Sequence, residues 1–355
     1  MITAQATIPD SPIDLRSDTV TRPTDAMRRV IAGAEVGDDQ YGEDTSTNRL
    51  QAYVAELLGK EAALWLPSGT MANQVALKVL TVPGDEVVVG QETHAVWHEK
   101  GASAANAGVQ FREVGTGGTF TAEDFLIARK QRGHVIFPPT TLVEIENTHN
   151  RGGGVVFPQS DVVQICAAAR EHGVATYLDG ARLWNAAMAS GLPPAELVAP
   201  FDMAMVALSK GLGAPAGSML VGSSDMIEEA HRYRRMFGGA MRQTGLYAAA
   251  GLYALENHMA RLEEDHANAR AIAEKLMESG RIHLDPSTVQ TNILVFELGP
   301  DAPDAATLVD RAKERGVLLF AFGSRKARAT THLQVTREQC ERAGEILVEI
   351  VESKA

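Results

Sequence analysis

Residues 203–217 read Met203-Ala204-Met205-Val206-Ala207-Leu208-Ser209-Lys210-Gly211-Leu212-Gly213-Ala214-Pro215-Ala216-Gly217. The apolar run from Met203 to Leu208 has the length of a buried strand, and the glycines and proline after it read as loop. A serine and a lysine are thus delivered at a strand end, where desolvation lowers an amine's pKa and makes it a better nucleophile. Taken alone, the same lysine also reads as the first residue of a turn.

Outward from this stretch, similar short apolar runs recur with helical patterns between them. Strands are expected at 62–66, 85–89, 109–114, 141–145, 174–178 and 203–208, and helices at 71–80, 93–105, 122–132, 161–172 and 181–189. That alternation implies right-handed βαβ units and a mostly parallel sheet. After about residue 241 the character changes. One long helical stretch over 245–279 is followed by strands at 292–296, 317–320 and 331–335, a helix at 305–315 and a closing helix to 351. The domains read as an N-terminal arm with a short helix (1–44), a large domain (45–245) and a small C-terminal α+β domain that includes the linking helix (246–355).

The totals narrow the function class. A net charge of −12 argues against nucleic acid and against an anionic membrane surface as partner. Cys166 and Cys340 are the two cysteines of a 355-residue chain, which fits a reducing cytoplasm better than a disulfide framework. Residues 1–14 lack a basic stretch followed by an apolar block, and the longest uncharged apolar run, near 245–255, is about half a membrane span. The expectation is a soluble cytoplasmic protein.

Ligands of open parallel sheets gather at the carboxyl ends of the strands. Ser68-Gly69-Thr70 stands between a strand and a helix N-terminus, where free N–H groups suit a phosphate; an ordinary βα turn reads the same way. In Tyr177-Leu178-Asp179-Gly180-Ala181-Arg182 a buried aspartate needs a cation, either Arg182 or a protonated pyridine nitrogen. Lys210 follows one helix and one strand later. Phosphate cradle, aspartate, then lysine is the order that a pyridoxal 5'-phosphate (PLP) site on such a sheet requires. His94 and His98, four apart, suit stacking on a flat cofactor or acid–base work; with no further ligand evident, no metal is expected. Arg328 could clamp a carboxylate or lie on the surface. Arg232, Arg234 and Arg235 read as a solvated face, and Arg242 is set apart by Gly238-Gly239 beside it.

With these motifs assembled, the chain resembles the L-threonine aldolase family of PLP enzymes, fold type I, from about Ile13 to the C-terminal helix. The resemblance rests on Asp14-Leu15-Arg16-Ser17-Asp18-Thr19-Val20-Thr21, Val36-Gly37-Asp38-Asp39, Tyr41-Gly42-Glu43-Asp44, Pro67-Ser68-Gly69-Thr70-Met71, Glu146-Asn147-Thr148-His149-Asn150, Asp179-Gly180-Ala181-Arg182, Leu208-Ser209-Lys210-Gly211-Leu212 and Gly238-Gly239-Ala240-Met241-Arg242-Gln243. It implies an α/β fold with a mostly parallel seven-stranded sheet between helices and a smaller C-terminal α+β domain. It implies a Schiff base on Lys210 beside Ser209, Asp179 on the ring nitrogen and His94 stacked on the ring. Ser68, Gly69 and Thr70 would hold the phosphate, with Arg242 from a neighbouring subunit. Ser17, Arg182 and Arg328 would take the substrate carboxylate, and Tyr41 would reach a neighbour's site in a homodimer or homotetramer.

The implied reaction is retro-aldol cleavage of L-3-hydroxy-α-amino acids to glycine and an aldehyde, with His94, His98 or an ordered water as base. A PLP-dependent β-eliminating lyase or aminotransferase shares the same residues, and a non-catalytic PLP-binding protein is the third reading. Two departures from the family pattern stand out. Ile136-Phe137-Pro138-Pro139-Thr140 replaces His-Phe-x-Arg-Thr, and His98 stands where an aromatic residue is common. Both fall on the hydroxyl side of the substrate, so preference is expected to shift toward bulkier amino acids such as L-phenylserine.

Overall fold

A computed structural model describes residues 12–353. They divide into two compact units, Arg22–Ala260 and a smaller one of residues 12–21 with 261–353. Residues 1–11 of the expected N-terminal arm lie outside the described residues.

The larger unit is built on a seven-stranded sheet: β1 Ala62–Leu66, β2 Glu86–Gly90, β3 Gln110–Val114, β4 Thr140–Glu146, β5 Ala175–Gly180, β6 Met203–Ala207 and β7 Ser218–Gly222, in the order β1-β7-β6-β5-β4-β2-β3. β7 alone runs against the rest. β2, β4 and β6 are buried along their whole length, as expected of strands covered on both faces; β6 is a continuous apolar run and β2 has an apolar centre, whereas β4 carries Glu144 and Glu146 among its buried residues. β7 escapes a βαβ reading because the Lys210 loop folds straight back instead of crossing over through a helix. Ala72, Val75 and Ala76 of helix Gly69–Leu80 share one buried core with Val87, Val89, Tyr177 and Met205 of the sheet.

Two helices differ from the periodicity. The one expected over 93–105 is broken into a turn at His94–Trp97 and a π-helical turn at Ser103–Ala107. Lys100 and Gly101 between them hold φ of 56° and 75°, left-handed backbone that no α-helix continues through. The stretch expected as one helix over 245–279 is two, Gly245–Asn257 and Leu262–Leu276. The first is buried on nearly every side, and Gly251 lies so close to Leu208 and Leu50 that a methyl group would stand 2.9 Å from the former. It therefore packs in the larger unit, and the division falls after Ala260 rather than before residue 246.

In the smaller unit, β8 Ile282–His283, β9 Ile293–Leu298, β10 Phe320–Ala321 and β11 Lys326–Thr330 form an antiparallel sheet in the order β10-β11-β9-β8. Its apolar face, with Leu294, Phe296, Ala327 and Ala329, joins the cores of helices Leu262–Leu276, Ala305–Glu314 and Arg337–Glu352. Ile13–Asp14 pairs in parallel with Val317–Leu318. The strand expected at 331–335 is a correction: pairing ends at Thr330, and the chain turns toward Thr336, which caps the last helix. β11 lacks β-branched residues other than Thr330 and carries two charges, so its propensity is weak; the small alanines that fit against the helices decide its place. Among the described residues, no helix is long and apolar enough to cross a membrane.

Candidate active site

The site follows from strand register in the larger unit. Glu146 at the end of β4 is level with Asp179 near the end of β5, which is level with Met205 of β6; Ala207 and Leu66 are both level with Ser218 at the start of β7. The carboxyl ends of β4, β5, β6 and β1 thus share one edge with the amino end of β7. Asp179, Lys210, the Ser68-Gly69-Thr70 turn and, beyond β2, His94 all lie there.

At one corner, helix Gly69–Leu80 begins at Ser68, whose hydroxyl accepts from the Met71 N–H at 3.2 Å. Helix geometry leaves the first N–H groups, those of Gly69 and Thr70, without intrahelical partners. A Cβ at Gly69 would stand 2.8 Å from Met205 Cε, the movable tip of that side chain, so the turn is close to β6 at this point. The Ser218 hydroxyl lies 3.5 Å from that same point, buried and without a hydrogen-bond partner. Free N–H groups, the helix dipole and an orphaned hydroxyl together suit an anion such as a phosphate.

Asp179 is fully buried on β5. Its Oδ2 accepts from Asn73 Nδ2 at 2.9 Å and its Oδ1 from the Ala181 N–H at 3.1 Å. Burial and the charge of Glu146 push its pKa up, against the opposing pull of His94, Lys210 and Asn73. A carboxyl poised in this way is held ionised by a cation brought against it, which a protonated pyridine nitrogen provides. Lys210, half-buried in the loop after β6, is near enough for its charge to act on both Asp179 and His94. Its carbonyl accepts from the Gly213 N–H at 2.8 Å, which ties the loop back on itself. The residue set therefore fits a phosphorylated pyridine aldehyde: a cradle, a ring anchor and an amine.

His94 opens a short helical turn whose position is set by Glu146, which accepts from the Thr93 hydroxyl at 2.9 Å and the His94 N–H at 2.7 Å. Burial alone would raise the Glu146 pKa, but His149, His94 and the N–H groups of Asn150 and His94 lower it to about 2. For His94 the balance runs the other way. Burial would lower its pKa, yet the Glu99 carboxylate at 3.1 Å from Nδ1, with Asp179 and Glu146, raises it. The His98 ring is exposed, 5.3 Å from that of His94 and tilted 40° to it. Arg182 is buried at the start of helix Leu183–Ser190.

Tyr41 and Arg242 lie on adjoining loops at the surface of the larger unit. The Asp39 N–H donates to the Arg242 carbonyl at 3.1 Å, and Asp44 accepts from Gly37, Thr47 and Gly245, holding the two loops together. Arg234 corrects the solvated-face expectation. It is buried, 2.7 Å from Asp39 and donating to the Trp65 carbonyl at 3.0 Å. Ile136 is 85% exposed in the loop before β4, where His134 stacks on Phe137 at 3.7 Å.

In the smaller unit, Arg328 stands in β11 opposite Val295, its guanidinium over the Phe322 ring at 4.5 Å and donating to the Arg16 carbonyl at 2.8 Å. Ser17 caps the short turn Asp18–Val20 by accepting from the Thr19 N–H.

Asn73, Glu99, Glu144, Tyr177 and Ser218 were not singled out by sequence. Their common signal, weak without a structure, is polarity inside an apolar pattern: Asn73-Gln74 in the buried face of a helix, and Glu144 and Glu146 two apart in a buried strand.

A profile of the β-eliminating lyase family matches residues 14–298. The chain belongs to that family and, within it, to the L-threonine aldolases its motifs resemble. It is 45% identical over 328 residues to a low specificity L-threonine aldolase of Escherichia coli (strain K12), covering 92% of this chain and 96% of that one. Among solved structures, a Leishmania major threonine aldolase has a TM-score of 0.80 at 22% identity, covering 96% of this chain and all of that one. An SPT variant solved with PLP has a TM-score of 0.74 at 17% identity, covering 98% and 91%. At these identities the two structures establish fold type I alone.

Proposed function

We propose that the protein is a PLP-dependent aldehyde-lyase that cleaves L-3-hydroxy-α-amino acids, L-threonine and L-allo-threonine among them, to glycine and an aldehyde. The observation that carries this reading is the convergence of Asp179, Lys210, His94 and the Ser68-Gly69-Thr70 helix start at one sheet edge, in a chain 45% identical to a low specificity L-threonine aldolase. PLP, when bound, supplies an aldehyde for the substrate amine and a pyridinium ring that accepts the electron pair of the broken Cα–Cβ bond.

Lys210 would hold the cofactor through its side-chain amine. Ser209 lies beside it. The N–H groups of Gly69 and Thr70, with Ser68, would hold the phosphate, and the Asp179 carboxylate would favour a protonated ring nitrogen. His94 would cover the ring face and is the first candidate to take the hydroxyl proton, through Nε2, with the exposed His98 as the alternate base. Arg182 is the larger unit's candidate for the substrate carboxylate; Ser17 and Arg328 are the smaller unit's. Such a carboxylate clamp would fix the orientation of the substrate, and hence which bond at Cα is presented for cleavage.

Tyr41, 72% exposed, and the exposed Arg242 support a homodimer or homotetramer in which these two residues complete a neighbour's site. Cys166 and Cys340, both buried free thiols, fit a reducing cytoplasm. With Ile136 and His98 in place of the family's usual residues, L-phenylserine is expected among the accepted substrates.

Incubation of the purified, PLP-loaded protein with L-threonine, L-allo-threonine and L-phenylserine, followed by assay of glycine and aldehyde, tests the reading. PLP bound with no glycine from any of the three sinks it. Pyruvate, ammonia or a keto acid in place of glycine would mark the β-eliminating or aminotransferase alternative, which the family's name keeps in play.

A further inference from the structure

His94 has a partner that the sequence spacing hides. Glu99 lies five residues on, beyond the end of the helical turn His94–Trp97, and is buried completely at its side chain. Its Oε1 is 3.1 Å from His94 Nδ1. Asn73 Nδ2 donates to the same oxygen at 2.8 Å and to Asp179 Oδ2 at 2.9 Å. Gln74 Nε2 donates to Glu99 Oε2 at 2.7 Å. The orientation of Asn73 is set twice over: its NH₂ faces two carboxylates, while its Oδ1 accepts from the Tyr177 hydroxyl at 2.7 Å.

We propose that Glu99 is a positioning residue for His94, holding its proton on Nδ1 so that Nε2 is the basic nitrogen, and that Asn73 couples this pair to the ring-anchoring Asp179. The inference rests on the aldolase reading for the reaction it serves, although the tautomer does not. An ionised carboxylate only accepts, and amide N–H groups already occupy both Glu99 oxygens, so the His94 nitrogen facing it carries hydrogen. A base whose second nitrogen is fixed by a third group is the arrangement general-base catalysis requires. Asn73, on helix Gly69–Leu80, gives each carboxylate one N–H, so losing it would leave two buried anions short of a donor.

The charged and titratable groups facing His94 are Glu99 and His98 on its own segment, Glu146 on β4, Asp179 on β5 and Lys210 after β6. Of these, Glu99 makes the ring hydrogen bond, and Asp179 and Glu146 act on the same side through charge. Replacing Glu99 by Gln removes the anion with little change of shape.

The test is ¹⁵N NMR of histidine-labelled holoenzyme, with the His94 signals assigned by their loss in His94→Asn. In wild type, neutral His94 should be the Nδ1–H tautomer. In Glu99→Gln that preference should weaken, and the acid limb of the kcat/KM profile should move to lower pH. Its kcat should fall about 10- to 100-fold, part of the roughly 10²–10⁴ that a positioned base contributes. Glu99→Asp should recover part of the loss. An Nε2–H tautomer in wild-type holoenzyme overturns the proposal without any Glu99 variant. So does a Glu99→Gln protein that turns over more slowly with tautomer and pH limb unchanged, the result of a merely structural role. Absence of glycine production by wild type would defeat the functional reading instead, leaving the tautomer to decide Glu99.

Discussion

Glu144 offers the sharpest test of the electrostatics in this site. It lies in β4 level with Tyr177 on one side and Val89 on the other, is fully buried, and neither carboxyl oxygen has a hydrogen-bond partner. Burial, reinforced by the charges of Asp179, Glu99 and Glu146, holds its pKa well above the usual carboxylate range. The folded protein therefore keeps Glu144 protonated at a pH where the unfolded chain releases that proton. Folded-state pKa above unfolded means that stability is fully present below the unfolded value and is lost as pH rises toward the folded one. The loss runs at about 1.4 kcal/mol per pH unit. Glu144→Gln preserves shape and is neutral at every pH. Its advantage over wild type should be small near pH 4 and grow at about that slope until the folded pKa of Glu144 is passed. Glu144→Met also removes the unpaired polar atoms, worth a further 1–3 kcal/mol or so. Urea denaturation followed by circular dichroism, at intervals between about pH 4 and 8, measures both. Parallel stability curves for wild type and Glu144→Gln would refute the reasoning, as would destabilisation by Glu144→Met, since either means the carboxyl is charged and partnered.

Other outcomes follow from the same geometry. Lys210→Ala should abolish both the visible absorbance of the bound cofactor and glycine formation; retained turnover would refute the amine assignment. Asp179→Asn should keep PLP in place, the phosphate cradle being untouched, while kcat falls by about 10²-fold or more for want of a charged ring partner; an unchanged kcat would remove Asp179 from the mechanism. Breaking the buried Asp39–Arg234 pair by Arg234→Met should destabilise the larger unit by about 3–5 kcal/mol, because Asp39 is left buried and alone. A thermal midpoint unchanged from wild type would return Arg234 to the solvated face. Gly69→Val should raise the Kd for PLP, since a β-branched side chain would crowd the helix start, its first added atom standing 2.8 Å from Met205 Cε and 3.5 Å from the Ser218 hydroxyl; fluorescence titration of the apoprotein measures it.

Much of this was legible in the amino-acid order. Strands buried on both faces must be short apolar runs, and a parallel sheet must put a crossover between them, so β1, β2, β4, β5 and β6 and the placement of Ser68, Asp179 and Lys210 at their ends come from pattern alone. Those residues needed no tertiary information because each sits at or just past the carboxyl end of an apolar strand.

What tertiary structure decided is whatever depends on packing between segments distant in sequence. β7 was missed because it returns as an antiparallel neighbour without a crossover helix. β11 was displaced because alanines chosen for their fit against three helices carry little strand propensity. Arg234 could not be distinguished from Arg232 and Arg235 until Asp39 came to lie 2.7 Å away. The carboxylate network shows the same dependence. Asn73, Glu99, Glu146 and Asp179 come from four separate segments, and nothing in their spacing indicates that they meet. Hydrogen bonds and charges act over a few ångströms of space, whereas sequence periodicity reports only which face of its own helix or strand a residue occupies. The order of residues therefore determined which lysine and which aspartate stand at the sheet edge. The folded chain determined how their protons are held.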